Sequence, residues 1–136
     1  MAYKEDGSFY MDDFDYQDLQ QAVDTVVFFT HKLAATGGWW DGVNKDDPLL
    51  QAVKVGLIAG EAHEAIEAIR KDSQDDHLPE YRGVDTELAD VLIRTGDFAG
   101  AYDVGLGHIV VAKLKYNAKR ADHQPENRKK SGGKRF

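Results

Sequence analysis

At 136 residues, with 42% apolar and 30% charged residues, three prolines and no cysteine, the chain has the size of about one domain. Its composition is that of a helix-rich globular protein, not a fibrous or disordered one. The lack of thiols excludes disulfides, thiolate nucleophiles and Cys-held zinc or iron–sulfur centres, so any metal must be held by oxygen or imidazole. No apolar run reaches the length of a membrane span, and the opening MAYKEDGSFYMDDFD lacks the apolar stretch of a signal peptide. A cytoplasmic protein with no membrane partner is expected. The net charge of −7 is unevenly spread: residues 1–112 hold 8 Lys/Arg against 22 Asp/Glu, and residues 113–136 hold 9 against 2. The acidic body repels nucleic acid and anionic membranes, and only the basic end could supply a local patch for them.

Helical periodicity recurs four times, and no Val/Ile/Thr-rich alternation marks a strand, so the expected fold class is all-α. A single helical domain is expected over 1–121, with a basic tail over 122–136. The first helix is predicted over Asp15 to Ala35, with Leu19, Ala22, Val23, Val26, Phe29 and Leu33 on one face and Gly37-Gly38 as its stop. Val27 and Phe28 widen that face beyond what one amphipathic helix needs, which points to a second subunit. A loop follows, polar except for Trp39, Trp40 and Val43. The second helix is predicted from Pro48 to about Lys71, capped by Asp47, with proline where no backbone N–H is required. Asp72 to Gly83 reads as a loop. The third helix, from Asp85 or Thr86 to Tyr102, is predicted to bury Leu88, Val91, Leu92, Phe98 and Ala99. The fourth runs from about Leu106 to Ala121. The tail QPENRKKSGGKRF is expected to be extended or mobile, ordering only by docking on something.

The second and third helices share a pattern. Glu61-Ala62-His63-Glu64-Ala65-Ile66 and Glu87-Leu88-Ala89-Asp90-Val91-Leu92 each carry acids at i and i+3, with apolar residues at i+1, i+4 and i+5 beside them. Packed antiparallel through those apolar stripes, the helices would bring four carboxylates to one rim of the bundle. Such a group repels itself unless a cation neutralises it, and hard oxygen ligands suit Mg²⁺, Mn²⁺ or Ca²⁺. One i,i+3 acidic pair is ordinarily a solvated face; two pairs in matching register beside apolar stripes favour a site. A di-iron bundle would need Glu-x-x-His on two helices, and none of the five histidines has a glutamate three residues before it. His63 is expected to face solvent, away from Glu61 and Glu64.

Glu61-x-x-Glu64 and Glu87-x-x-Asp90, together with HLPE (77–80), ELADVLIRTGDFAG (87–100), KLKYNAKR (113–120) and the GGKRF ending, resemble the MazG-like all-α nucleoside triphosphate pyrophosphohydrolases. The likeness is to the short single-domain members common in bacteriophages and bacteria, and it covers roughly residues 47–136. The resemblance implies a four-helix-bundle-like all-α NTP pyrophosphatase fold, a homodimer or homotetramer with sites near subunit interfaces, and Mg²⁺-dependent hydrolysis of an NTP or dNTP to the monophosphate and pyrophosphate. It makes a purine such as dGTP or GTP the first substrate to try. On this reading Glu61, Glu64, Glu87 and Asp90 hold Mg²⁺, with Mn²⁺ able to substitute, and Glu64 deprotonates the attacking water. Lys113, Asn117 and Arg120, at i, i+4 and i+7 of the fourth helix, would meet the triphosphate. Lys54, one heptad before Glu61, is a further phosphate candidate, and Trp39 or Trp40 could stack on a base or pack in the core. The competing reading is a non-catalytic helical binding module whose basic tail contacts nucleic acid or a protein partner.

Overall fold

Asp12 and Asp15 start the first helix by capping each other. The Asp12 carboxylate accepts the Asp15 N–H at 2.9 Å and the Asp15 carboxylate accepts the Asp12 N–H at 3.0 Å, which satisfies two backbone donors that a helix start leaves unpaired. The computed structural model describes residues 2–136. Helix α1 is Asp13–Thr36, α2 is Pro48–Lys71, α3 is Gly83–Ala101 and α4 is Leu106–Asn117. The fold is therefore all-α in its main elements, with a two-stranded antiparallel hairpin, β1 (Ala2–Tyr3) and β2 (Phe9–Tyr10), before α1. The hairpin departs from the strand-free expectation. Two-residue strands are too short to carry an alternation, and this pair is closed by Gly7 at φ 81° and the Gly7 N–H to Lys4 carbonyl bond of 2.9 Å.

The chain divides into two compact units, residues 25–104 and residues 2–24 with 105–136, and α1 contributes to both. In the first unit α2 begins as expected, with the Asp47 carboxylate accepting the Leu49 N–H at 2.9 Å and Pro48 in the first turn. It ends at Asp72 in the left-handed conformation, φ 49° and ψ 45°. Helices α2 and α3 pack on each other and run antiparallel, since Gly83 lies against Ala68 while Arg94 reaches Glu61. The second half of α1 meets α3 at a glycine notch: a Cβ on Gly96 would stand 2.3 Å from Thr30 Oγ1, and one on Gly100 2.4 Å from His31 Cβ.

Contact through small residues determines what is buried. Ala65, Ala68, Ala99 and Ala101 are the buried apolar residues among those described. Of the five residues expected inside α3, Ala99 is buried, Val91 and Phe98 are half-buried, and Leu88 and Leu92 are each 56% exposed. The expected burial of those two leucines is corrected for the single chain, because α3 approaches its neighbours through Gly83, Gly96 and Gly100. Phe29 and Leu33 of α1 and Ile66 and Ile69 of α2 are likewise exposed.

In the second unit, Gly107 of α4 sits against the first half of α1, its N–H donating to the Asp24 carboxylate at 3.1 Å. A Cβ there would meet Asp24 Oδ1 at 2.4 Å and the Gln20 carbonyl at 2.5 Å. Helix α4 ends at Asn117, four residues before the expected stop. The following segment is folded, not extended. A 3-10 turn (Ala121–His123) and a one-turn helix α5 (Pro125–Arg128) are held by side-chain amides, Gln124 Nε2 to the Ala118 carbonyl at 2.9 Å and Asn127 Nδ2 to the Ala121 carbonyl at 2.7 Å. No described helix is long and apolar enough to cross a membrane.

Candidate carboxylate site

The antiparallel packing of α2 on α3 brings together one ligand oxygen each from Glu61, Glu87 and Asp90, all within 4.8 Å of one another. Glu61 and Glu87 are half-buried and Asp90 lies at the exposed rim. The electrostatics are those of carboxylates short of countercharge. Burial first, then a hydrogen bond with Glu61 and the charges of Glu61, Asp90 and Glu64, raise the Glu87 carboxyl above its ordinary range. Burial and Glu61 raise Asp90 as well, and Arg94 opposes the rise. That arginine is the cation within reach: its Nε donates to Glu61 Oε1 at 2.5 Å.

Glu64 falls outside this three-oxygen group. It is exposed and lines an adjoining cleft of about 400 Å³ with Glu67, Lys71, Asp75, His77 and Glu87. His63 is exposed, as expected. The wall of the cleft is a folded loop. Asp75 accepts the backbone N–H groups of His77 at 2.8 Å and Leu78 at 2.7 Å and the Thr86 hydroxyl at 2.9 Å. These donors hold its carboxyl below the usual range and tie the loop to the first turn of α3.

The loop tryptophans diverge. Trp39 is 71% exposed. Trp40 donates its indole N–H to Asp97 Oδ1 at 2.8 Å, and His31 Nδ1 meets the same oxygen at 2.9 Å. Lys54 Nζ lies over the Trp40 ring, 4.3 Å from its centroid, and Tyr102 meets the ring edge-on at 5.9 Å. Trp40 is thus part of a packed cluster with a cation on one face, while Trp39 presents a free indole.

Lys113, Asn117 and Arg120 belong to the other unit. Lys113 lies over the Tyr116 ring at 5.4 Å, Asn117 Oδ1 is buried without a hydrogen-bond partner, and Arg120 donates to both Asp122 oxygens at 2.9 and 2.6 Å.

Two features escaped sequence reasoning. Arg94 had a signal, since it stands seven residues after Glu87 and four after Asp90 and so shares their side of α3. The His31–Asp97–Trp40 cluster had none, because its members are 66 and 57 residues apart. As a donor set, three clustered carboxylate oxygens, two of them on the raised carboxyls of Glu87 and Asp90, suit a hard divalent cation, which would relieve the repulsion at the cluster. No protein-family model matches the chain, and no curated protein or solved structure matches it.

Proposed function

We propose that the protein is a Mg²⁺-dependent nucleoside triphosphate pyrophosphohydrolase of MazG-like type. It would convert an NTP or dNTP, with a purine such as dGTP or GTP as the first candidate, to the monophosphate and pyrophosphate. The observation that carries this reading is the convergence of Glu61, Glu87 and Asp90 within 4.8 Å on two antiparallel helices, in the register of the two acidic pairs. These three residues would hold Mg²⁺, or Mn²⁺ in its place, with Glu64 joining them from the edge of the cleft. The chemistry that such an ion supplies when bound is charge withdrawal at the α-phosphate. Glu64, exposed beside Glu87, is the group positioned to take a proton from the attacking water. The new bond joins that water oxygen to the α-phosphorus, the bond from the α-phosphorus to its bridging oxygen breaks, and pyrophosphate carries away the electron pair. Lys113, Asn117 and Arg120 are the proposed triphosphate contacts and Trp39 the proposed base platform; Lys54 and Trp40 brace one another and have a supporting role.

The protein is also proposed to be a homodimer or homotetramer. A single chain leaves Leu33 72%, Ile69 64% and Leu49 74% exposed and fully buries nothing larger than alanine among the described apolar residues. Covering such surface is the usual driving force for a stable homo-oligomer. The test is pyrophosphate release from a panel of ribo- and deoxynucleotides with and without Mg²⁺. Mg²⁺-dependent release from at least one is expected; no turnover of any would favour the non-catalytic binding module, a reading that the folded basic tail supports.

A further inference from the structure

The last segment of the chain folds back on itself through one turn. Lys130 N–H bonds to the Asn127 carbonyl at 3.3 Å and Gly133 N–H to the Lys130 carbonyl at 3.0 Å, with Gly132 at φ 79°. Gly133 packs so closely on α5 that a Cβ would stand 2.4 Å from the Arg128 carbonyl oxygen and 2.7 Å from that of Asn127. Only glycine permits this approach. The turn sets Lys134 and Arg135 beside Arg128 and Lys129, so these four cations and Pro125 line a cavity of about 380 Å³. The lining holds no carboxylate. Asp122, at its margin, is already shared by Arg120 and by Lys134, whose Nζ lies 2.8 Å away. That bond fixes the Lys134 ammonium before any ligand arrives.

Four like charges gathered around one cavity repel each other; the backbone turn holds them there, and Asp122 engages Lys134 alone of the four. We propose that this cavity is a binding site for condensed phosphate, the diphosphate or triphosphate chain, whether free or carried by a nucleotide. Charge selects the class. One phosphate monoester brings about −1.5 to −2 at pH 7, less than the three lining cations that Asp122 does not engage, Arg128, Lys129 and Arg135, whereas a condensed chain concentrates more charge in a span that fork-shaped arginines and point-charge lysines can grip together. A single-stranded nucleic acid would need aromatic platforms along a groove, and no aromatic residue lines this cavity. The site requires neither the carboxylate cluster nor turnover.

The test titrates inorganic tripolyphosphate into the whole protein in EDTA at low salt, read by calorimetry and by backbone amide shifts. Saturable binding with shifts concentrated in residues 125–135 is expected, with orthophosphate roughly 10-fold weaker or more. Lys129→Ala/Arg135→Ala should weaken tripolyphosphate by about 10-fold or more. Gly133→Ala should do the same without any change of charge, because its methyl forces the turn open. A parallel titration with dGTP separates the sources: equal affinity assigns the site to the free chain, and tighter binding with the same shifts assigns it to a nucleotide. Wild-type affinity in Gly133→Ala would overturn the proposal by showing diffuse attraction only. So would orthophosphate binding as tightly as tripolyphosphate, or displacement of tripolyphosphate by a single-stranded oligonucleotide at equal phosphate concentration.

Discussion

Around Glu61, Glu87 and Asp90, three carboxylates cluster and an arginine pairs with the first of them; at Asp122, one carboxylate serves two cations. The two arrangements move proton affinity in opposite directions. Glu87 and Asp90 are pushed up, by burial and by the neighbouring Glu61, whereas the Arg120 and Lys134 donors hold Asp122 far below the ordinary carboxylate range. The comparison separates charge that serves folding from charge that folding tolerates. Asp122 ties Arg120, just past α4, to Lys134 of the tail and is better off ionised in the folded chain. Glu87 and Asp90 are worse off ionised, and the packing of two long helices imposes that cost. Groups arranged against their own electrostatic preference are candidates for function, where a ligand restores the balance.

The comparison breaks most sharply in activity. Glu87→Gln or Asp90→Asn, each removing a proposed ligand, is expected to lower turnover by on the order of 1,000-fold or more. The melting temperature of the metal-free protein should hold or rise, because one repulsive charge is gone. Mg²⁺ with nucleotide should stabilise the wild type by mass action and these variants much less. Activity within a few-fold of wild type in both would remove the metal assignment.

A smaller effect is expected from the cationic side. Lys113→Ala and Arg120→Ala should each lower kcat/KM by roughly 10- to 1,000-fold, about 1.4 to 4 kcal/mol, if they meet the developing charge on pyrophosphate. For Lys113, which is exposed, stability should change by under about 1 kcal/mol. Unchanged kcat/KM in both, beside dead carboxylate variants, would dissociate α4 from the reaction.

The smallest effect is the pH dependence of stability, and its sign differs between the two regions. Glu87 and Asp90 have folded-state pKa values above their unfolded ones, so their contribution is present at low pH and lost as pH rises through the folded values. In metal-free protein the melting temperature of Glu87→Gln minus that of wild type should therefore grow as pH rises above the ordinary glutamate value of 4.5. For Asp122 the folded value is depressed, and its contribution is present above its unfolded value and lost as pH falls. Asp122→Asn should be destabilised near neutrality and converge on wild type in acid. Parallel curves for the two variants would contradict the contrast.

The same two regions differ in how far the sequence exposed them. The α2 boundaries and both acidic pairs were legible because capping, proline placement and an i,i+3 register are local. Gly83 starting α3 two residues early was not, because it reflects tight contact with Ala68 and Ser73, which lie 15 and 10 residues away in the chain. The tail read as extended because its composition is basic and poor in apolar residues, yet Gln124 and Asn127 fold it by bonding backbone carbonyls four to six residues earlier. Leu88 and Leu92 were correctly read as an apolar stripe, but periodicity does not tell whether the surface it meets belongs to the same chain.

Trp39 and Trp40 give the molecule an optical asymmetry. With one indole 71% exposed and its neighbour bonded to Asp97 beneath a lysine, adjacent chromophores sample water and a fixed polar interior. A ligand stacking on the loop would quench or blue-shift the outer emission and leave the inner one unchanged. Unfolding would move both, so a Trp39→Phe and Trp40→Phe pair would make the protein's own fluorescence a two-channel recorder that separates occupancy from denaturation.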